Sequence, residues 1–147
     1  MFLQIENPEG MKLDNFARFV KNQIVSFVNS GEYRDSRLEN IWNNYFTEND
    51  LGWVKDDFDN PVPPTVEYIL DTYFNNLKIH KNGQNYVITV DPTIMLHNTD
   101  FSIDTLATMI NEGTLTVPAY TFIDDVFDLF ADELQGLYDN WISFGGA

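Results

Sequence analysis

The chain has 147 residues, of which 23 are acidic and 8 are Lys or Arg, giving a formal charge of −15 at pH 7. That charge repels nucleic-acid phosphate and anionic lipid, which argues against direct DNA, RNA or membrane-surface binding. The absence of cysteine excludes disulfides, thiolate catalysis and Cys-based zinc sites, while 44% apolar residues with 12 Phe, 7 Tyr and 3 Trp exceed what an acidic disordered tail carries.

Met1 to Glu6 lacks the basic start and long apolar stretch of a signal peptide, so export by that route is not expected. No window approaches the ~18 uninterrupted apolar residues of a membrane span. Asn7-Pro8-Glu9-Gly10 reads as a turn, after which a helix begins near Met11 or Lys12. Leu13, Phe16, Ala17, Val20, Ile24, Phe27 and Val28 share one face of it. Asn29-Ser30-Gly31 predicts its end, with glycine in the left-handed cap position. Ser36-Arg37-Leu38-Glu39 has the form of a capping box opening a second helix, lined by Leu38, Ile41, Trp42, Tyr45 and Phe46. Glu48 to Pro64 is expected to be irregular, because Pro61, Pro63 and Pro64 oppose regular pairing.

Thr65 caps an expected third helix with Val66, Ile69, Leu70, Tyr73 and Phe74 on its inner side. Residues 77–90 predict a β-hairpin in which Asn82-Gly83 supplies the two positive φ angles of a type I′ turn. Asp91-Pro92 ends it, and Thr93 to Thr99 is a loop or short irregular helix. Ser102 or Asp100 caps a helix with Ile103, Leu106, Ala107, Met109 and Ile110 inward, closed by Gly113. Residues 114–117 read as a third strand that Pro118 confines to an edge. A long amphipathic C-terminal helix is expected from about Thr121 to Ser143. The chain thus reads as one mostly helical α+β domain, residues 1–147.

The last Lys or Arg is Lys81. Residues 1–81 hold 13 acids against all 8 bases, a net of −5, and 82–147 carry the remaining −10. At ~100° per residue the C-terminal helix places Val126, Phe127, Phe130, Leu134, Leu137, Tyr138 and Trp141 on one face, with Asp125, Asp128, Asp132 and Asp139 almost opposite. Asp128 and Asp132 are then ~6 Å apart along the axis, and Asp125 and Asp139 ~21 Å. No Lys or Arg stands four residues away to neutralise them. Phe122 and Leu129 are expected to border this acidic row. An apolar fringe on a charged strip fits a docking face for a basic protein surface, whereas an acidic face alone would serve solubility.

No catalytic constellation is visible. His80 and His97 are the only histidines, and neither has a Ser nucleophile with an orienting acid nearby in sequence. Asp56-Asp57-Phe58-Asp59-Asn60 suggests calcium, but Pro61 stands where an EF-hand loop needs Gly and no Glu follows at the twelfth position. Paired carboxylates of a glycosidase cannot be singled out among 23 acids. No phosphate loop, dinucleotide fingerprint or nucleophile elbow occurs. No cofactor, metal or catalytic residue is therefore expected.

The stretch from Ile103 to Phe130 reads IDTLATMINEGTLTVPAYTFIDDVFDLF. In its helix ending Ile-Asn-Glu-Gly, short strand and aromatic-acidic helix, it resembles segments of small accessory proteins of tailed bacteriophages. That class includes components of capsid, neck and tail modules. The resemblance covers about a fifth of the chain and implies a catalytically silent structural protein, located in the virion or host cytoplasm. Its partners would be other virion subunits, in an oligomer or hetero-assembly. A different class of function is an inhibitor whose acidic face imitates nucleic acid. Duplex DNA carries one charge per ~1.7 Å of axis, so mimicry needs a second acidic surface, for which Asp56, Asp57 and Asp59 are the candidates.

Overall fold

The computed structural model describes residues 1–37, 54–55, 57–58, 61–62, 66–115 and 118–146. Among these, three strands form an antiparallel sheet in the order β1 (Leu3–Ile5), β5 (Asn85–Val90), β4 (Leu77–Asn82). A two-stranded ribbon joins β2 (Val54–Lys55) to β3 (Pro61–Val62). Six helices are described: α1 (Asp14–Val28), α2 (Gly31–Arg37), α3 (Val66–Phe74), α4 (Ile103–Glu112), α5 (Phe122–Asp132) and α6 (Leu134–Ser143). The domain is α+β, as its sequence pattern predicts.

The predicted hairpin forms, and it organises the sheet. Its loop is one residue later than expected: Asn82 pairs with Asn85, leaving Gly83-Gln84 as the two-residue connection. Gly83 has φ +64° and Asn82 is not in the left-handed region. One positive φ at the first central position suits a type II′ turn rather than type I′. Leu77↔Val90 and Ile79↔Ile88 pairs share one face with Leu3 and Ile5 of β1, and this face is the core side.

The third strand of the sheet is β1, at the start of the chain. Thr114 and Leu115, expected in a strand, are irregular, and 116–117 lie outside the described residues. Three alternating residues make too short a pattern to register as a strand; β1 owes its geometry to β5. Buried Asn7 then anchors the return of the chain. Its Nδ2 donates to the Met11 and Gln84 carbonyls at 2.7 and 3.1 Å, and its Oδ1 accepts from Met11 N–H at 3.0 Å. Gly10, φ +68°, closes the predicted turn through its N–H to the Asn7 carbonyl.

Helix α1 buries Phe16, Ala17, Val20, Ile24 and Val28, and Phe27 is half-buried, so the predicted face is the packed one. Its end differs from expectation. Asn29 stays right-handed (φ −84°, ψ −1°) and Gly31 opens α2. Ser30 makes this sharp restart workable: its Oγ donates to the Phe27 carbonyl at 2.6 Å and accepts from Tyr33 N–H at 3.2 Å. A left-handed glycine is then unnecessary. Ser36 lies within α2, and the helix expected over 38–46 falls outside the described residues. Arg34 links α2 to α3 through the Asp71 carboxylate.

Pro61 begins β3 opposite Lys55, where irregular chain was expected. A first-residue proline loses no ladder bond that a two-residue strand requires, so it is compatible with pairing. In α3, Ile69, Leu70, Tyr73 and Phe74 are buried as predicted, while Thr65 lies outside the described residues. Burial pushes the Tyr73 phenol well above the ordinary tyrosine value. In α4, Ser102 is the cap: its Oγ accepts from Thr105 N–H at 3.0 Å. Gly113 closes the helix at φ +80°. Of the predicted inner set, Met109 is the exception, at 38% exposure.

Two polar contacts in this frame are open to measurement. Tyr86 is buried, and its Oη accepts the Leu13 N–H at 3.0 Å, docking the start of α1 on β5. Tyr86→Phe strands that donor and is expected to lower stability by about 1–3 kcal/mol in urea unfolding; an unchanged midpoint would show the contact to be dispensable. Asp91, after β5, accepts from Thr93 N–H and Oγ at 2.9 and 2.7 Å, and Lys78 Nζ lies 2.9 Å away. The Thr93 bonds, helped by Lys78, lower the Asp91 pKa to about 2. A carboxylate held below its unfolded value stabilises the fold above about pH 4 and loses that contribution as pH falls toward about 2. Asp91→Asn should therefore melt below the parent at pH 6, with the two curves converging near pH 2.

Candidate protein interface on the C-terminal helices

The segment 122–143 is helical in the predicted extent, with an interruption at Glu133. There φ is −100° and ψ 3°, ending α5 and opening α6. Asp132 is the last residue of α5, at the negative end of that helix and with no base in its last turn. Glu133 stands as the N-cap residue of α6, near its positive end. The apolar stripe is divided accordingly. Val126, Phe127 and Phe130 are buried in α5, whereas α6 has no fully buried residue. It rests on α1 through Tyr138 and Trp141, whose rings lie 5.2 and 5.3 Å from Phe16.

All four row residues, Asp125, Asp128, Asp132 and Asp139, are exposed. Asp125 accepts from Thr121 Oγ1 at 3.1 Å, and Asp139 from Gln135 Nε2 at 3.1 Å. Among the described residues Asp128, Asp132 and Asp139 make no ion pair. Asp125, Asp128 and Asp132 share α5, but Asp139 is on α6, so the uniform 100° step no longer ties it to the others.

The apolar fringe is half as expected. Leu129 is 39% exposed, but Phe122 is 1% exposed and belongs to the core. The wheel treats a helix as isolated; here the preceding loop folds over its first turn. Tyr120 N–H bonds the Ile110 carbonyl at 2.8 Å, and the Tyr120 ring lies 5.8 Å from Phe122. Asp124, outside the row, has a structural task. It accepts from Asn111 Nδ2 at 2.7 Å, while its N–H donates to Asn111 Oδ1 at 3.1 Å. Asn111 is only 1% exposed, so this exchange locks α4 to α5. The sequence carries a signal for it only in hindsight: a polar residue at the inward edge of an apolar stripe.

Apolar groups outside the fringe expected from the sequence lie at the end of α6, where Ile142 is 46% and Phe144 90% exposed. Between β1 and the α5–α6 junction runs an open groove of about 420 Å³ lined by Gln4, Glu6, Leu13, Leu134, Gln135 and Tyr138, among others. Among the described residues Glu6 and Tyr138 are its titratable groups, and no His, Lys, Arg or Ser lines it. It can offer apolar contact and hydrogen bonds, but no paired acid and base.

The histidines stand apart from this surface. His80 is exposed on β4. His97 Nε2 is 3.5 Å from Asp57 Oδ1 and 3.1 Å from Asn98 Nδ2. Among the described residues no group of three or more His, Asp or Glu could hold a metal ion. Asp56 and Asp59 lie outside the described residues, so of the proposed second acidic surface only Asp57 is placed, exposed and beside His97. No described helix is long and apolar enough to cross a membrane. No protein-family model, curated protein or solved structure matches the chain.

Uncompensated exposed carboxylates repel one another, and added salt screens that repulsion. The melting temperature is expected to rise as ionic strength increases toward ~1 M, where the Debye length is ~3 Å. A falling melting temperature in NaCl would instead mean that attractive pairs dominate the surface.

Proposed function

We propose that this protein is a non-enzymatic assembly subunit that docks through its C-terminal helices onto a basic surface of another protein. The setting implied by the resemblance of residues 103–130 is the virion of a tailed bacteriophage. The observation that carries the reading is that exposed Asp128, Asp132 and Asp139 make no ion pair among the described residues, and that the same two helices expose Leu129 and Ile142, with exposed Phe144 following. Like charges three or four residues apart destabilise a helix by a few tenths of a kcal/mol per pair. A basic partner would remove that repulsion, and the bordering apolar groups would add contact area away from water. Reversing the effect of solvent in this way gives affinity and orientation together.

The test replaces Asp125, Asp128, Asp132 and Asp139 together with Asn. The variant is expected to gain roughly 0.5 kcal/mol of stability and to lose co-purification with assembled particles. If it is more stable but captured equally well, the row serves solubility and the docking role is wrong. Light scattering that finds a strict monomer, together with its absence from purified virions, would remove the assembly reading altogether.

A further inference from the structure

Asn82 is the only asparagine in the chain that glycine follows. The amide nitrogen of a following residue can attack an asparagine side chain and close a five-membered ring. A side chain on that next residue hinders the approach, and a hydrogen bond from its N–H holds the nitrogen in place. The fold applies such restraints at other asparagines. Asn7 precedes Pro8, which has no N–H. After Asn29, the Ser30 N–H donates to the Phe27 carbonyl at 3.1 Å; after Asn98, the Thr99 N–H donates to the Leu96 carbonyl at 3.1 Å.

Neither restraint acts at Asn82. Asn82 and Gly83 are both exposed. Among the described residues the Gly83 N–H and the Asn82 carboxamide make no hydrogen bond. Apart from the chain neighbours, no atom lies within 4 Å of the place a Gly83 Cβ would take. The same loop also carries structural weight. The Gln84 carbonyl accepts from Asn7 Nδ2 at 3.1 Å, and Asn85 Oδ1 accepts the Asn7 N–H at 2.8 Å. Asn7 is only 4% exposed, so its amides have no water to turn to if the loop withdraws.

We propose that Asn82 is a site of spontaneous covalent modification, and that its conversion to isoaspartate loosens the turn from β1 into α1. Base removes the Gly83 N–H proton, and the nitrogen attacks Asn82 Cγ. A C–N bond forms, and ammonia leaves with a proton drawn from water. Water then opens the cyclic imide. Addition at Cγ leaves an ordinary aspartate, whereas addition at the backbone carbonyl routes the main chain through the side-chain carbon. The sum is asparagine plus water giving the acid plus ammonia. The isoaspartate product adds one carbon to a connection whose two-residue length fits a type II′ turn, and Gln84 and Asn85 shift away from Asn7. This needs no partner and is independent of the α5–α6 face.

The full chain is aged in mildly alkaline buffer, folded and in urea, and mapped by mass spectrometry. The chymotryptic peptide from Lys78 to Tyr86 is expected to gain about one dalton at Asn82, and Asn82→Gln to suppress the gain. Unfolding should speed reaction at Asn29 and Asn98 at least about tenfold, the factor for one backbone bond that no longer has to open, and Asn82 by less. The isoaspartyl form, collected by ion exchange, should melt below the parent and exchange its Asn7 and Met11 amides faster. Asn82→Asp, with the same charge on an ordinary backbone, should match the parent in both. The proposal fails if folding protects Asn82 as strongly as Asn29 and Asn98. It also fails if the isoaspartyl form keeps the parent's exchange at Asn7 and Met11. Equal loosening in Asn82→Asp would assign the effect to charge and overturn the role of the added carbon.

Discussion

Strand β5 satisfies backbone groups on both sides, against β4 through a two-residue turn and against β1 from the far end of the chain's first half. Everything else packs with reference to it. Tyr86 and Ile88 project into the core between Ile5, Leu3 and Ile79, and the Tyr86 hydroxyl receives the first free N–H ahead of α1. Asn85 accepts the Asn7 N–H at 2.8 Å, so the same strand holds the return from β1. A central strand with both sides paired leaves two edges, and their unequal lengths give the sheet its polarity.

Charge is distributed unevenly along the chain as well. Helix α5, with Asp125, Asp128 and Asp132, packs on β1, whereas α1 contacts β4, β5, α5 and α6. The chain is strongly acidic in total. Such charge shapes association more than stability, because exposed pairs contribute little to folding while long-range fields orient approaching partners.

The interruption at Glu133 shows a local conflict resolved by geometry. A continuous helix would carry Asp132 and Glu133 along without compensation, and would hold the Leu134 to Trp141 stripe in register with Phe130. Restarting the helix places Glu133 at the favourable N-terminal end of α6, and Tyr138 and Trp141 meet Phe16. The aromatic contact is the larger gain, since ring pairs in this geometry contribute about 0.5–1.5 kcal/mol beyond burial.

What the sequence determined by itself was most of what depends on short-range periodicity and side-chain chemistry. The stripe of α1, a cap at Ser102 or Asp100, the Gly113 end, the Asn7–Gly10 turn and the extent of the hairpin over 77–90 each need only neighbours within a few residues. The exposure of the four aspartates was legible for the same reason: a charged row opposite an apolar one has a single sensible orientation. Tertiary structure decided what depends on distant partners. Leu3–Ile5 becomes a strand because β5 has a free side, and Phe122 is buried because Tyr120 is tied to Ile110. Gly31 starts a helix because Ser30 meets the bonding needs of both neighbours, and Asp124 is structural because Asn111 faces it from another helix. The open edge of β4 also belongs to this class, since which strand lies outermost is settled only when every other strand has chosen its place.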